Sequence, residues 1–406
     1  MVFNGTSFSY KWVILGLITL THVMSAYSGQ SIQPLAPFLQ SELSLKHIQI
    51  GMFTSIFFLG AFFLSIPMGW LVDRFGIYWT MAVGQLIIGL FILSISFADS
   101  FPIICGFLLL AGMGHATINP ATGKAVISWF SIKGRATAMG VKQTGIPLGG
   151  VLAAATLPAI AMSSNWRKAF IISGAISLLS VLFCLLFYRE SQTEKNQKKI
   201  QTFPLSSLWE IFKDRDLMML SCLAIVFMGL QISLQTYLVL FCKERLLFPV
   251  IIAGYFLSLA HLGGVVGRLT WGPVSDFFFR GRRKVVLMII GSLCSIISLS
   301  FAFLSPQFPI WSIVILVFLF GFCAIGWNGI YLTLAAELAG GDRAGMATGV
   351  TLSIAWFGIF FGPPFFGYII DQTQSYSYAW FIFSIMIGLT TFFIGWIHEP
   401  IRDVAK

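Results

Sequence analysis

A few polar side chains lie inside long apolar stretches of the sequence, where they could bind a ligand or move a proton. Lys142, His22 and His115 each lie well inside a separate apolar stretch. A lysine at the centre of a hydrocarbon layer costs roughly 2.5–3.5 kcal/mol on insertion scales, so a charge at that depth tends to face a wet cavity. Histidine titrates near neutral pH, and acidic residues are absent from the middle of every stretch, so these two histidines and His261 are the candidates for proton exchange.

Hydrogen-bond donors recur at helical spacing in four of the apolar stretches and outnumber carboxylates, since Glu337 and Asp371 lie near the ends of theirs. A donor-rich pocket suits a small anion held by several hydrogen bonds and disfavours a cationic drug. Two alternatives stay open: Lys142 and Lys124 can snorkel to lipid headgroups, and the other residues can form ordinary hydrogen bonds between helices. The predicted substrate-contacting residues are His22, Tyr27, His115, Asn119, Lys124, Lys142, Gln143, Gln231, Gln235, Trp327, Asn328 and Tyr331.

The composition excludes several classes of protein. Of 406 residues, 57% are hydrophobic and only 10% are charged, whereas a soluble domain carries about 25% charged residues. The net charge of +10 is spread thinly, which excludes a nucleic-acid reader. The sequence also lacks a phosphate-binding loop, a metal-ligand cluster and a nucleophile with its base, and His47 and His398 lie singly at segment margins. We therefore predict a protein in a lipid bilayer that is not an enzyme and has no cofactor and no metal.

Twelve apolar segments are each near the roughly 20 residues that cross a bilayer as a helix. They are too long and too uniformly apolar for the strands of a membrane barrel, so the predicted fold class is an all-α membrane protein with twelve transmembrane helices. The segments are 12–34, 48–71, 79–98, 102–127, 137–161, 169–188, 217–241, 250–273, 285–304, 309–336, 346–370 and 378–397.

Lysine and arginine set the predicted orientation. Seventeen lie in the termini and in the loops on their side of the membrane, five lie in the opposite loops, and Lys124, Lys142 and Arg268 lie inside segments. By the positive-inside rule both termini are cytoplasmic. The longest polar interruption predicts a cytoplasmic linker at 189–216, with a short amphipathic helix in it, between a bundle of six helices at 1–188 and another at 217–406.

The two halves of the chain repeat the same features in the same order. The pair Gly69 and Asp73 recurs as Gly272 and Asp276 at an offset of 203, and the interval Gly112–Asn119 recurs as Gly321–Asn328 at an offset of 209. The stretch that begins at Arg135 likewise matches the one that begins at Arg343. This pattern predicts two pseudo-symmetric bundles related by an axis along the membrane normal.

These features resemble the major facilitator superfamily over nearly the whole chain. The signature of that family after the second span appears as Gly69, Asp73, Arg74 and Gly76, although Ile77 and Tyr78 replace its usual basic pair. The resemblance implies transport by alternating access and a working monomer. It also implies a conformational gate, which carboxylates at helix ends and nearby arginines can form in one state and break in another. The predicted gating residues are Gly69, Asp73, Arg74, Gly76, Arg135, Arg268, Gly272, Asp276 and Arg343.

Two departures from the family affect the expected function. Leu108 replaces an arginine that many proton-coupled members carry, and the segment Gly140–Gly150 resembles an antiporter motif with its proline one place later. We predict a secondary transporter of a small organic anion, such as a carboxylate-type metabolite, in a bacterial inner membrane. Proton symport, exchange and uniport stay open. The alternative is a proton antiporter that exports hydrophobic compounds, to which the 41 phenylalanines and the fifth span point.

Overall fold

The computed structural model describes residues 10–190, 211–340 and 343–399, and these residues form helices joined by short turns, without a β-strand among them. Continuous apolar runs favour helices because a helix satisfies its own backbone hydrogen bonds inside lipid. Within these described ranges, twelve helical segments are long and apolar enough to cross a membrane. The prediction of an all-α protein with twelve transmembrane helices is confirmed. The amphipathic helix predicted in the linker falls mostly on residues outside the described ranges.

The helices of the first half are α1 (Tyr10–Gly29), α2 (Ile32–Leu43), α3 (His47–Ser94), α4 (Phe101–His115), α5 (Ile118–Trp129), α6 (Ile132–Ser163) and α7 (Trp166–Phe187). Those of the second half are α8 (Arg215–Glu244), α9 (Val250–Phe278), α10 (Arg283–Phe303), α11 (Ile310–Ala324), α12 (Asn328–Ala339), α13 (Ala344–Ala355), α14 (Phe357–Thr373) and α15 (Tyr376–Ile394). The long α3 contains two spans, His47–Ser65 and Trp70–Phe97, and Gly76 within it has non-helical backbone angles.

The described chain forms two compact units whose boundary does not follow chain order throughout. The first unit consists of Met1–Phe38 and Ile56–Gln201, and the second of Leu39–Ser55 and Thr202–Lys406. Within the second unit, the hydroxyl of Ser55 donates to the carbonyl of Ile359 at 3.0 Å. The division into bundles 1–188 and 217–406 stays a prediction, and the segment Leu39–Ser55 is the part of the first half that packs elsewhere.

Close helix contacts at glycines repeat in both units. In the first, a Cβ atom at Gly60 would meet the carbonyl oxygen of Leu109; in the second, one at Gly263 would meet that of Phe318. These glycines are 203 residues apart, the offset of the sequence repeat in this region. Small residues let membrane helices approach closely, so α3 packs against α4 as α9 packs against α11.

The fourth and tenth spans are interrupted at corresponding places. Between α4 and α5 the helix breaks at Ala116 and Thr117, and between α11 and α12 it breaks at 325–327. The second helix of each pair begins at or next to an asparagine, Asn119 or Asn328. Ala116, Thr117 and Trp327 keep right-handed helical backbone angles, so each of these spans is irregular here and crosses as one span.

Candidate functional site

Lys142 lies at the centre of a polar cluster in the first unit. Its ammonium donates to Asn119 Oδ1 at 3.0 Å and to Thr122 Oγ1 at 3.0 Å, and more weakly to the carbonyl of Asn119 at 3.3 Å. The residue is 2% exposed, so the side chain does not reach the headgroups. The alternative that Lys142 snorkels is therefore wrong, and the lysine is held against the break that begins α5.

Glycines on α6 place this lysine next to α1. A Cβ atom at Gly145 would meet the Cβ of His22, and one at Gly149 would meet the backbone of Val23. The glycine-rich segment thus forms a packing seam that brings His22 within reach of the lysine one turn away. In the structure, Gly145 and Gly149 of the antiporter-like segment are thus contact points between α6 and α1.

Thr122 joins the histidine and the lysine. Its hydroxyl lies 2.8 Å from His22 Nε2 and donates to the carbonyl of Ile118 at 2.6 Å. Sequence reasoning missed this residue because a threonine in a helix is unremarkable by itself. The signal that could have found it is its spacing of three residues from Asn119, which puts both on one face of α5.

His115 and Tyr27, which are also predicted to contact substrate, each form a side-chain contact within the first unit. His115 Nδ1 lies 2.9 Å from the hydroxyl of Ser25, and its ring lies against the rings of Phe57 and Phe58. The hydroxyls of Tyr27 and Thr156 are 2.8 Å apart. Gln143 follows Lys142 on α6 and is half-buried.

The charge of Lys142 is not balanced by a carboxylate. Within the described part of the chain its partners are amide, hydroxyl and carbonyl oxygens, and its ammonium takes part in no ion pair there. A buried cation with neutral partners is costly to desolvate, and an anion is the ligand that best offsets this cost. Asn119 is exposed, so a ligand that reaches its amide also reaches the neighbourhood of the ammonium.

The second unit also has a polar cluster, which lies where α11 meets α12 and consists of neutral side chains. Gln231 Oε1 accepts from Trp327 Nε1 at 2.9 Å and from Asn328 Nδ2 at 3.1 Å. Gln235 lies one turn further along α8 and is largely buried, and the ring of Tyr331 packs on that of Trp327 at 5.1 Å. At the offset of 209, Thr351 corresponds to Lys142, so the repeat does not supply a second cation.

Lys124, predicted to contact substrate, instead contacts Asp73, one of the predicted gating residues of the first unit. Its ammonium contacts Asp73 Oδ1 at 2.7 Å, where the carboxylate side chain is 57% exposed. The guanidinium of Arg74 stacks on the rings of Trp70 and Phe75. Gly76 has a φ of +84°, a conformation that glycine adopts without strain. A Cβ atom there would also meet the carboxylate of Glu190, which explains the glycine.

Four further predicted gating residues lie within helices or next to their ends. Arg135 donates to the carbonyls of Phe130 and Ile127, both at 3.0 Å, and so satisfies the end of α5. Gly69 lies in α3, Gly272 in α9, and Arg343 immediately before α13.

In the second unit, Asp276 pairs with Arg283 at 2.6 Å. Arg268, predicted to pair within the gate, donates from Nε to the carbonyl of Ile325 at 3.3 Å, at the break between α11 and α12. The gating roles stay predictions.

A family model described as Major Facilitator Superfamily matches residues 18–363. The chain belongs to the major facilitator superfamily. Among curated members, it is 26% identical over 404 residues to a probable sulfoacetate transporter, SauU, of Cupriavidus necator, with 93% of this chain and 92% of that protein covered. It is 24% identical over 396 residues to a hexuronate transporter of Bacillus subtilis, covering 94% and 92%.

The fold of this superfamily also appears among solved structures. The nucleoside transporter NupG aligns with a TM-score of 0.77 at 16% identity, covering 96% of this chain and 99% of that one. At that identity the likeness shows the fold alone. The protein is a multi-pass membrane transporter of the major facilitator superfamily and not an enzyme.

Proposed function

We propose that the protein transports small organic anions that carry a carboxylate, and that Lys142 is the charge that recognises them. The observation that carries this proposal is the buried ammonium of Lys142, whose partners in the described chain are neutral oxygens. The two curated relatives described above support the same class, since sulfoacetate and hexuronate are both small carboxylates.

Binding of a carboxylate at this site follows from the hydrogen-bond inventory. A carboxylate accepts hydrogen bonds only, and here it can replace Asn119 Oδ1 as the acceptor for the ammonium. The released amide of Asn119 can then turn its NH₂ group to the same ligand. The bond from the ammonium to the asparagine oxygen has one charged partner, whereas the bond to a carboxylate joins two opposite charges, so the exchange favours the anion over the asparagine oxygen.

His22 is the proposed proton-exchanging group. It shares the Thr122 hydroxyl with Lys142, so a change in the position of the ammonium changes which hydrogen bonds the histidine can make. Neutral imidazole uses one ring nitrogen as acceptor and the other as donor, while the protonated ring donates from both. Anion binding that draws Lys142 away from Thr122 also relieves the electrostatic cost of a second positive charge on His22. This arrangement supports symport of the anion with a proton.

The membrane placement is part of the same proposal. The excess of lysine and arginine at the termini and in the loops on their side supports cytoplasmic termini. The two bacterial relatives support a bacterial inner membrane. The superfamily supports a monomer in which 1–188 and 217–406 act as the two bundles joined by 189–216.

Export of hydrophobic compounds is the competing function. It predicts that neutralising Lys142 leaves ligand binding intact, because a hydrophobic ligand does not need the ammonium. The proline in the glycine-rich segment of α6 lies within a continuous helix that packs on α1, which explains that segment without antiport.

A thermal-shift screen of the purified protein in detergent tests the proposal. The probes are glucuronate, galacturonate and sulfoacetate, with glucose and a hydrophobic amine for comparison. A ligand at about 100 times its dissociation constant stabilises the folded state by about 2.7 kcal/mol. We expect stabilisation by at least one anion, lost in Lys142→Ala and kept in Lys168→Ala, which removes an exposed lysine. Stabilisation by the amine alone contradicts the proposal.

A further inference from the structure

A second titratable cluster lies within the second unit, where α3 begins. His47 Nδ1 lies 2.9 Å from Asp371 Oδ1, and His47 Nε2 lies 3.0 Å from Glu244 Oε2. The three side chains are 19%, 16% and 31% exposed, so water reaches all of them. The cluster joins the first turn of α3 to the ends of α8 and α14.

Other groups around His47 complete its surroundings. Tyr376 donates to Glu244 Oε2 at 2.7 Å, and Tyr237 donates to the backbone carbonyl of His47 at 2.7 Å. The side-chain amide nitrogen of Gln40 lies 3.3 Å from His47 Nε2 and can donate to it only when that ring nitrogen is unprotonated, so this contact is the alternative to the one with Glu244. The neighbouring cations are Lys46, which precedes the histidine, and Lys243, which precedes Glu244. Two carboxylates therefore face one imidazole, with tyrosines and an amide around them.

With both carboxylates ionised, hydrogen bonds from His47 to Asp371 and to Glu244 together need a proton on each ring nitrogen. Carboxylates accept hydrogen bonds only, and both ring nitrogens donate only in the imidazolium form. A neutral ring must turn a lone pair towards one of the carboxylates, so it loses one of these two contacts. One part of the cluster is independent of this proton, because the backbone N–H groups of His47 and Ile48 also donate to Asp371, at 3.0 and 2.9 Å.

His47 lies in a segment that comes from the first half of the sequence but belongs to the second unit. Leu39–Ser55 packs in the second unit, while the rest of the second span from Ile56 belongs to the first. The described contacts of this segment also include neutral ones, such as that between Thr54 and Thr236 at 3.1 Å. His47 is thus a titratable attachment of a segment that ends where the chain passes into the first unit.

We propose that His47, Glu244 and Asp371 form a proton-binding site that fastens Leu39–Ser55 to the second unit when His47 is protonated and loosens it when the proton leaves. In the proposed orientation this site faces the outside of the cell, so external pH controls the attachment. The site is separate from Lys142, and its test does not require a transported substrate.

Hydrogen exchange of the purified protein in lipid nanodiscs measures the attachment. We compare the protection of Leu39–Ser55 at about pH 5.5 and about pH 8, each relative to a peptide from α10 so that the intrinsic pH dependence of exchange cancels. Loss of a hydrogen bond between charged groups is enough to change the equilibrium constant for local opening by about tenfold. We expect protection of the segment to fall by about tenfold at the higher pH. Equal relative protection at the two pH values overturns the proposal.

Matched variants identify the group that titrates. His47→Gln removes the pH dependence, while His398→Gln, which replaces an 82% exposed histidine near Asp216, keeps it. Glu244→Gln keeps an acceptor for Tyr376 but removes one negative charge, so we expect it to lower the protection of Leu39–Ser55 at the acidic pH. If His47→Gln does not fold, this variant alone tests the proposed site. Unchanged pH dependence in His47→Gln, or wild-type protection in Glu244→Gln, contradicts the proposed site.

Discussion

His22 and Lys142 share a single hydroxyl group, that of Thr122, which lies 2.8 Å from the histidine Nε2 and 3.0 Å from the lysine Nζ. The three side chains come from α1, α6 and α5, and each is at most 2% exposed. In so dry a place the hydroxyl is the path by which the state of one residue affects the other, because water is not available to take over its hydrogen bonds.

Two variants of Thr122 distinguish the effect of its hydroxyl group from the effect of its side-chain volume. Thr122→Val leaves His22 and Lys142 each short of one hydrogen-bond partner, and an unsatisfied buried polar group costs about 1–3 kcal/mol. We expect at least about a tenfold loss of glucuronate or galacturonate uptake into proteoliposomes, with a flattened pH profile. Thr122→Ser keeps the hydroxyl and should keep the wild-type profile. Equal profiles for the valine and serine variants contradict a coupling role for the hydroxyl.

We predict that Lys142 lowers the stability of the ligand-free protein and is needed for the binding of anions. Lys142→Met keeps most of the side-chain volume and removes a buried charge whose partners are neutral. We expect the thermal stability of the ligand-free protein to stay the same or rise, because the desolvation cost disappears. Stabilisation by anions should disappear at the same time.

Thermal unfolding with and without glucuronate or sulfoacetate measures both effects, and Lys168→Met, at an exposed lysine, should change neither. A large loss of stability in Lys142→Met would show that the lysine has a structural role instead.

The sequence predicts the spans, the repeat and Lys142 because each depends on local features: long apolar runs, glycine spacing and a charge at depth. The contacts of His47 cannot be predicted from such local features. By sequence it is a single histidine at a segment margin, yet its partners Glu244 and Asp371 are 197 and 324 residues away. Similarly, Lys124 lies close to Lys142 on the sequence but contacts Asp73 across the helix packing. Partners so distant along the chain are decided by how helices pack, which hydropathy does not encode.

The glycine contacts predict unequal effects of valine at two positions of α4. A Cβ atom at Gly112 would meet the carbonyl oxygen of Phe57, while one at Gly106 has nothing within 4 Å. Overpacking typically costs about 1–3 kcal/mol, whereas an exposed change usually stays within about 0.5 kcal/mol. Thermal unfolding in detergent should therefore show a clear loss of stability for Gly112→Val and little change for Gly106→Val. Similar stabilities for the two variants would contradict the close approach of α3 and α4.

The repeat makes the same prediction for the second unit. A Cβ atom at Gly321 would meet the carbonyl oxygen of Ala260, and Gly329 is its open control. Gly321→Val should lose as much stability as Gly112→Val, because the two glycines occupy corresponding places 209 residues apart.

The ion pairs of the two predicted gates should differ in strength, although their carboxylates correspond. Arg283 is 12% exposed and lies near two carboxylates, 2.6 Å from Asp276 and 3.6 Å from Glu337, whereas Lys124 faces the more exposed Asp73. Exposed ion pairs are worth about 0–1 kcal/mol, while loss of a partner from a buried charge costs about 1–3 kcal/mol. We expect Arg283→Gln to lower thermal stability more than Lys124→Gln.

The double variant Arg283→Gln with Glu337→Gln separates the charge effect from lost packing. Glu337 is also 12% exposed, so removing its charge together with that of Arg283 should recover part of the stability lost in the single variant. If the double variant is as unstable as the sum of the two single variants, the arginine and the glutamate do not interact, and the gate of the second unit depends on Asp276 alone.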